Sequence, residues 1–309
     1  MSKYKVFIDG QVGTTGLQIL ERLSSHPSID ILTVAHELRK SKEAKLKLMQ
    51  EADVTILCLP DDAAKESAAL AEQAGCRVLD ASTAHRINDE WVYGLPELTA
   101  NQRDLIRQSS KVANPGCYAT GAILLLKPLE GLVSLDDITI NAISGVSGGG
   151  NQLIAKYENG GPAYGVYSFN KSHKHIPEIM KWANLESAPL FIPSVANYQQ
   201  GMLVFVPLRH VTADKATAIH NKFCEHYANE PFITVNDLNV ANADTDFGFI
   251  TPHGVEGKNS VEISMFTIDG ADNALLVAKF DNLGKGASGA AVQNLNIMLG
   301  LDESICVEI

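Results

Sequence analysis

With 309 residues, 45% hydrophobic and 20% charged, the chain has the composition of a globular protein long enough for more than one domain. A formal charge of −11 disfavours nonspecific binding to nucleic acid or to an anionic membrane. Five cysteines, odd in number and never in a CxxC pair, argue against a disulfide framework and against a structural zinc site.

The longest apolar runs, 122–126 and 202–208, are too short to cross a bilayer. The opening MSKYKVFIDG enters a strand without a signal-peptide core, so a cytoplasmic location is expected. Lys5–Ile8 reads as the first strand, and Thr14–Ser25 as a helix on the spacing of Leu17, Leu20, Ile19 and Leu23. Strand 29–35 and helix 43–50 follow. Val54–Leu59 is continuously apolar, as in a strand buried on both faces. Asp61–Ala74 is helical, with acids at its start that suit the helix dipole. Arg77–Leu79 is a strand, Thr99–Ser109 a helix with Thr99 as N-cap, and Lys111–Ala113 leads into Asn-Pro-Gly-Cys. Alternation of strand and helix predicts a doubly wound parallel sheet of the Rossmann type.

The pattern then changes. Ile138–Ile143 is a strand, and 144–165 is glycine-rich without periodicity. Strands are expected at 202–209, 261–268 and 274–280, with a helix at 214–227. Grouped strands with few helices predict an α+β domain with a mainly antiparallel sheet. A final helix is expected over 284–299. The overall expectation is an α/β protein. Residues 1–116 and 285–309 form its nucleotide-binding domain, and 117–284 a catalytic and oligomerisation domain.

Gly10, Gly13 and Gly16 join the first strand to the first helix, with Thr14 and Thr15 opening that helix. Glycines here allow a tight turn and close approach of backbone to a pyrophosphate, and the helix start supplies N–H groups. The spacing is GxxGxxG rather than GxGxxG, so its place in a βαβ pattern carries the reading. No acid closes the second strand to hold ribose hydroxyls. Instead Glu37 is followed by Arg39, Lys40, Ser41 and Lys42, a cluster able to hold a 2′-phosphate. NADP(H) is therefore the expected cofactor, against a solvated loop as the plain alternative.

Cys117 opens an apolar helical stretch, where the dipole favours a thiolate and helix N–H groups can stabilise an oxyanion. Taken alone, it is open whether this is a nucleophile or a core thiol. His173 and His175 flank Lys174 and precede Pro177 and Glu178. An HxH pair suits acid/base work or metal binding. Without a third ligand at a supporting spacing, acid/base work is preferred and no metal is expected.

Together these segments resemble the N-acetyl-gamma-glutamyl-phosphate reductase family of arginine biosynthesis. The matching runs are GQVGTTG at 10–16, NPGCYAT at 114–120, SGVSGGG at 144–150, HKHIPEI at 173–179 and DNLGKGASGAAVQN at 281–294. DASTAHR at 80–86 resembles the shorter type of the family. Gln11 and Val12 depart from the usual cofactor loop at positions that need no glycine.

The resemblance implies a catalytic domain like that of aspartate-semialdehyde dehydrogenases. It implies Cys117 as nucleophile and a histidine of the HKH run as acid/base, His175 before His173. Glu178 becomes a supporting or substrate-binding carboxylate. Gly284 and Lys285 are placed near the cofactor. Ser82, Arg86, Asn114, Ser147 and Gly148 are substrate-binding candidates. The reaction implied is NADPH-dependent reduction of an acyl phosphate through a thioester, in a homo-oligomer, dimer or tetramer. Alternatives are reduction of an aspartyl or aminoadipyl phosphate, a noncatalytic NADP sensor, or a cysteine hydrolase.

Overall fold

The structure, a computed structural model, describes residues 3–168, 172–240, 248–268 and 271–309. The chain divides into two compact units. One combines Met1–Pro115 with Ala287–Glu308, and the other spans Gly116–Gly286.

The first unit opens with β1 (Tyr4–Asp9), α1 (Thr14–Ser24) and β2 (Ile29–Leu32). Next come α2 (Lys42–Glu51), β3 (Val54–Leu57), α3 (Asp61–Ala74) and β4 (Arg77–Asp80). A two-residue β5 (Val92–Tyr93), α4 (Gln102–Gln108) and β6 (Lys111–Ala113) follow. The six strands lie in the order β2-β1-β3-β4-β6-β5, and every pairing is parallel. β3 is buried at all four positions, as its unbroken apolar run predicts. Phe7, Leu57 and Val78 share a core with Met49 of α2 and with Ala68 and Ala71 of α3. The α3 boundaries are those expected: Pro60 precedes its acidic first turn and Gly75, at φ 71°, ends it in the left-handed region.

The second unit begins with α5 (Cys117–Leu126), β7 (Thr139–Gly145), α6 (Gly150–Glu158) and β8 (Tyr164–Val166). It continues with α7 (Ile176–Trp182), β9 (Leu190–Ala196), β10 (Met202–Arg209) and α8 (Ala213–His226). β11 (Ile233–Val235), β12 (Val261–Thr267) and β13 (Asn273–Phe280) complete its sheet. The strand order is β11-β12-β13-β10-β7-β9-β8. The β11–β12 and β7–β9 pairs are parallel and the other four antiparallel, so the sheet is mixed with an antiparallel majority. All of α5 beyond Cys117 is buried. A Cβ added at Gly121 would stand 2.7 Å from Phe280 of β13 and 2.7 Å from Val204 of β10, so this glycine brings helix and sheet into close contact.

After β13 the chain passes through a π turn, Gly284–Ser288, into α9 (Gly289–Met298), which belongs to the first unit. There α9 packs with α1, α4 and β4. Its whole length is buried, polar residues included. Those side chains are consumed internally: Asn294 donates to Gly94 O at 2.8 Å and to Asn114 Oδ1 at 3.0 Å, and His26 Nε2 meets Asn296 Oδ1 at 3.1 Å. Among the described residues no helix is long and apolar enough to cross a membrane.

Some local expectations are corrected. Thr99 is not the cap of α4. That helix starts three residues later behind Asn101, and the Thr99 hydroxyl bonds Asn101 and Gln102 side chains instead. The glycine-rich 144–165 stretch holds a helix and a strand, α6 and β8. The strand expected at 29–35 ends at Leu32, and 36–38 form a 3-10 turn.

Candidate active site

Cys117 is the first residue of α5. Gly116 is the N-cap, with φ −83° and ψ 146°, and no side chain caps the helix. The Gly116 N–H donates to Glu178 Oε1 at 2.8 Å. Glu178 sits in the first turn of α7 and is buried. The glutamate thus acts on the backbone immediately before the thiol. Behind Cys117, a Cβ on Gly286 would lie 2.8 Å from the cysteine Cβ, so the π turn packs closely against the residue. The turn is held by Asp281, which accepts from Leu283 N at 3.0 Å and Gly257 N at 2.8 Å. Burial pushes the Asp281 carboxyl up.

His173 and His175 lie beside this helix. Their rings stand edge to face, 4.8 Å apart between centroids, and pack against Tyr118 at 5.8 and 5.9 Å. The His175 N–H donates to His173 Nδ1 at 3.1 Å. This assigns the His173 proton to Nε2. Burial first, and Lys174 second, push His173 down to about 4. It is therefore neutral near pH 7. Tyr118 donates from its hydroxyl to Ser194 O at 2.7 Å, and burial holds its pKa well up.

Ser147 and Gly148 occupy the 3-10 turn Val146–Gly149 of the same unit. The Ser147 hydroxyl donates to Gln199 O at 2.6 Å and accepts from Asn282 Nδ2 at 2.9 Å. Its hydrogen-bonding capacity is largely used in holding this turn to the β13 exit. Lys285 is fully buried, with its ammonium 5.4 Å from the centre of the Phe232 ring. Gly284 beside it has no room for a Cβ because Lys258 O occupies the space.

In the first unit, the glycine loop follows β1. Gly10, at φ 98°, faces Cys58 O so closely that any side chain would collide. A Cβ on Gly16 would likewise meet Gly10 O. Gly13, the N-cap of α1, has only ordinary contacts at 3.7 Å or beyond, leaving its outer side open. The α1 start has no side-chain cap and no acid in its first turn. Thr14 and Thr15 are its first residues and are half-buried. A tight backbone bend beneath an uncapped helix start fits a pyrophosphate. Below the loop, Asp9 pairs with Lys45 at 2.7 Å and accepts from Ser67 at 2.6 Å, a cluster that sequence reading missed.

Arg39 is exposed, with its guanidinium 2.7 Å from His36 Nε2. Ser41 caps α2 by accepting from Ala44 N at 3.2 Å and donates to Glu43 at 2.8 Å. At β4, Asp80 is fully buried and accepts from Ser82 N and Oγ at 2.9 and 2.7 Å. Ser82 is thus tied to the strand end. Arg86 donates from Nε to Asn114 O at 2.9 Å and from Nη2 to Ala81 O at 3.1 Å. Asn114 donates to Ala287 O at 3.0 Å. Of these residues expected to bind substrate, Arg86 and Asn114 bond each other, and Ser82 bonds Asp80.

Residues 5–106 match the family model for the semialdehyde dehydrogenase NAD binding domain, and residues 117–282 match that for the semialdehyde dehydrogenase dimerisation domain. The N-acetyl-gamma-glutamyl-phosphate reductase of Trichormus variabilis is 45% identical over 320 residues, covering 99% of each chain. N-acetyl-gamma-glutamyl-phosphate reductase 2 of Pseudomonas putida is 42% identical over 305 residues, covering 96% of each. The chain belongs to the N-acetyl-gamma-glutamyl-phosphate reductase family.

Among solved structures, aspartate semialdehyde dehydrogenase II from Vibrio cholerae, complexed with ASA, matches this reductase-family chain with a TM-score of 0.70. The identity is 17%, over 97% of this chain and 99% of that one. Aspartate semialdehyde dehydrogenase with NADP from Candida albicans matches with a TM-score of 0.65 at 16% identity, over 98% and 100%. At these identities the likeness establishes the fold alone, α/β with one parallel sheet and a second, mixed sheet. Within the reductase family fold, Cys117 opens α5 and Glu178 lies in the first turn of α7, with His175 as the N-cap of α7 and His173 two residues before it.

Proposed function

We propose that the protein reduces N-acetyl-L-glutamyl 5-phosphate to N-acetyl-L-glutamate 5-semialdehyde and phosphate, with Cys117 as covalent nucleophile. The observation that carries this reading is the thiol at an uncapped helix start, with its preceding N–H held by a buried glutamate and two histidines packed against the next residue, Tyr118. The near-full-length relatives supply the substrate.

In this mechanism the Cys117 sulfur forms a bond to the acyl carbon. The carbon–oxygen bond to phosphate breaks, and phosphate leaves with the electron pair. N–H groups at the α5 start stabilise the oxyanion. Bound NADPH supplies the hydride that takes the thioester carbonyl to the aldehyde level. Cys117 then departs with the carbon–sulfur electron pair. His175 takes the thiol proton and returns a proton to the carbonyl oxygen. We prefer His175 because His173, pushed down to about 4 with Nδ1 occupied, is a poor base near neutral pH. Glu178 works as a positioning residue through Gly116.

Gly10, Gly13, Thr14, Thr15 and Gly16 would hold the pyrophosphate, and Arg39 with Ser41 the 2′-phosphate. Domain roles follow: the first unit binds NADP(H) and the second carries the chemistry. A dimer formed through the face of the seven-stranded sheet opposite α5 is part of the same reading. Phe205 and Leu203 alternate with Val204, which faces Gly121, and so lie on that outer face. All five thiols are free, in keeping with a reducing cytoplasmic setting.

The test is phosphate-dependent reduction of NADP by the purified protein with N-acetyl-glutamate semialdehyde, against aspartate semialdehyde and NAD. We expect turnover with the first pair and its loss in Cys117→Ser, with NADPH binding retained. Near-wild-type turnover in that variant would refute the covalent role.

A further inference from the structure

One buried titratable pair in the first unit is unused by this mechanism. His85 Nδ1 lies 2.7 Å from Asp80 Oδ2, and Asp80 is fully buried. A carboxylate partner places the proton on Nδ1 and leaves Nε2 as the ring's working atom. The ring is also fixed from its face. It stacks on Trp91 with centroids 4.0 Å apart and planes 10° apart. One contact sets the imidazole in its plane, and the other sets the plane. Among the described residues nothing bonds Nε2, and the side chain keeps 10% exposure. An imidazole held on two axes with its outer nitrogen open is preorganised for a ligand.

The sheet register says which ligand. Asp9 pairs with Leu57, Leu57 with Asp80, and Asp80 with Ala113, so the four form one row across the carboxyl edge of the sheet. Ligands of open α/β sheets bind along that edge. The glycine loop leaves from the Asp9 end of the row. Arg39 and Ser41 follow β2 in the chain, and β2 flanks β1 on the side away from β3. A dinucleotide with its 2′-phosphate there must send its other half the opposite way, over β3 and β4. Asp80 lies two strand spacings from Asp9, roughly 10 Å.

We propose that His85, fixed by Asp80 and Trp91, binds the nicotinamide–ribose half of the dinucleotide, with Nε2 accepting from a hydroxyl or amide N–H. This rests on the dinucleotide reading above. It adds a binding residue that the glycine loop and the basic cluster do not reveal.

Calorimetric titration of NADPH and of adenosine 2′,5′-bisphosphate, which lacks the nicotinamide half, tests the idea. Wild type, His85→Ala and the volume-matched His85→Gln would be compared after circular dichroism confirms their folding. NADPH should bind about tenfold more weakly to both variants, the scale of one hydrogen bond. The bisphosphate should bind unchanged. Unchanged NADPH affinity in either folded variant, equal weakening of both compounds, or failure of both variants to fold would overturn the proposal in favour of a structural pair. A wild-type protein that binds neither compound would sink the dinucleotide reading itself.

Discussion

Burying a carboxylate costs several kcal/mol unless hydrogen bonds replace its water, and Glu178 keeps only 1% of its surface exposed. Its bond to the Gly116 N–H therefore has a clear consequence for Cys117, the next residue. Glu178→Gln keeps an acceptor at the same reach. Glu178→Ala does not. Steady-state kinetics should show kcat falling about a hundredfold in the alanine variant, the scale of a small misplacement of a reacting group. The glutamine variant should lose far less, and KM should move little in both. Equal losses in both would mean that the charge matters and not the bond. His173 carries a pH prediction. Its folded pKa, about 4, lies below the ordinary 6.5. As pH falls through that window the unfolded chain takes up the proton first, so stability present above 6.5 is lost toward 4. Urea midpoints measured from pH 7 to 4 should drop more steeply for wild type than for His173→Gln. At this scale Cys117 and the HKH pair were candidates from the sequence alone, because their chemistry is tied to local motifs. His85 was not, because its meaning lies in Asp80, Trp91 and the register of four strands.

Elements with local signals were read well. α3 is bounded by Pro60 and Gly75, and its expected limits hold. β10 and β6 also match their apolar runs. Where local and tertiary signals diverge, reading failed. The glycines of 144–165 concealed α6, whose Tyr157 packs with Val146 and Val195, contacts invisible to composition. β9 was missed because Pro193 and Ser194 interrupt its apolar character, although β7 and β8 pair with it on either side. The contact of α5 with its sheet yields a prediction. Gly121→Ala would place a methyl 2.7 Å from Phe280 and Val204, both buried and neither at the end of a flexible chain. Overpacking of this kind costs about 1–3 kcal/mol. Thermal denaturation should show a lower midpoint, and an unchanged midpoint would mean that helix and sheet separate more readily than the packing implies.

For the whole molecule, the alternation of the first third and the grouped strands of the middle were enough to predict one parallel and one mainly antiparallel sheet. The two parallel pairings inside the second sheet were not, because β7–β9 and β11–β12 join segments far apart in sequence. The proposed dimer belongs to this scale. Phe205→Glu on the outer sheet face should shift the mass measured by light scattering from dimer toward monomer at micromolar concentration. A dimer that persists, or a wild type that is monomeric, would count against that face. The division of the first unit between the two ends of the chain reaches beyond the finished fold. A ribosome releases β1 through β6 and then makes roughly 170 further residues before α9 begins. At synthesis rates of about 5–20 residues per second this is a delay of roughly 10–30 s. Buried Asn294 of α9 answers both Gly94 and Asn114, so the nascent sheet must wait with those groups unanswered. Nascent chains stalled near residue 280 should be cut by protease within the first unit and resist cleavage within the second. During synthesis the second unit would then be the first to mature, and the first unit, although begun first, the last.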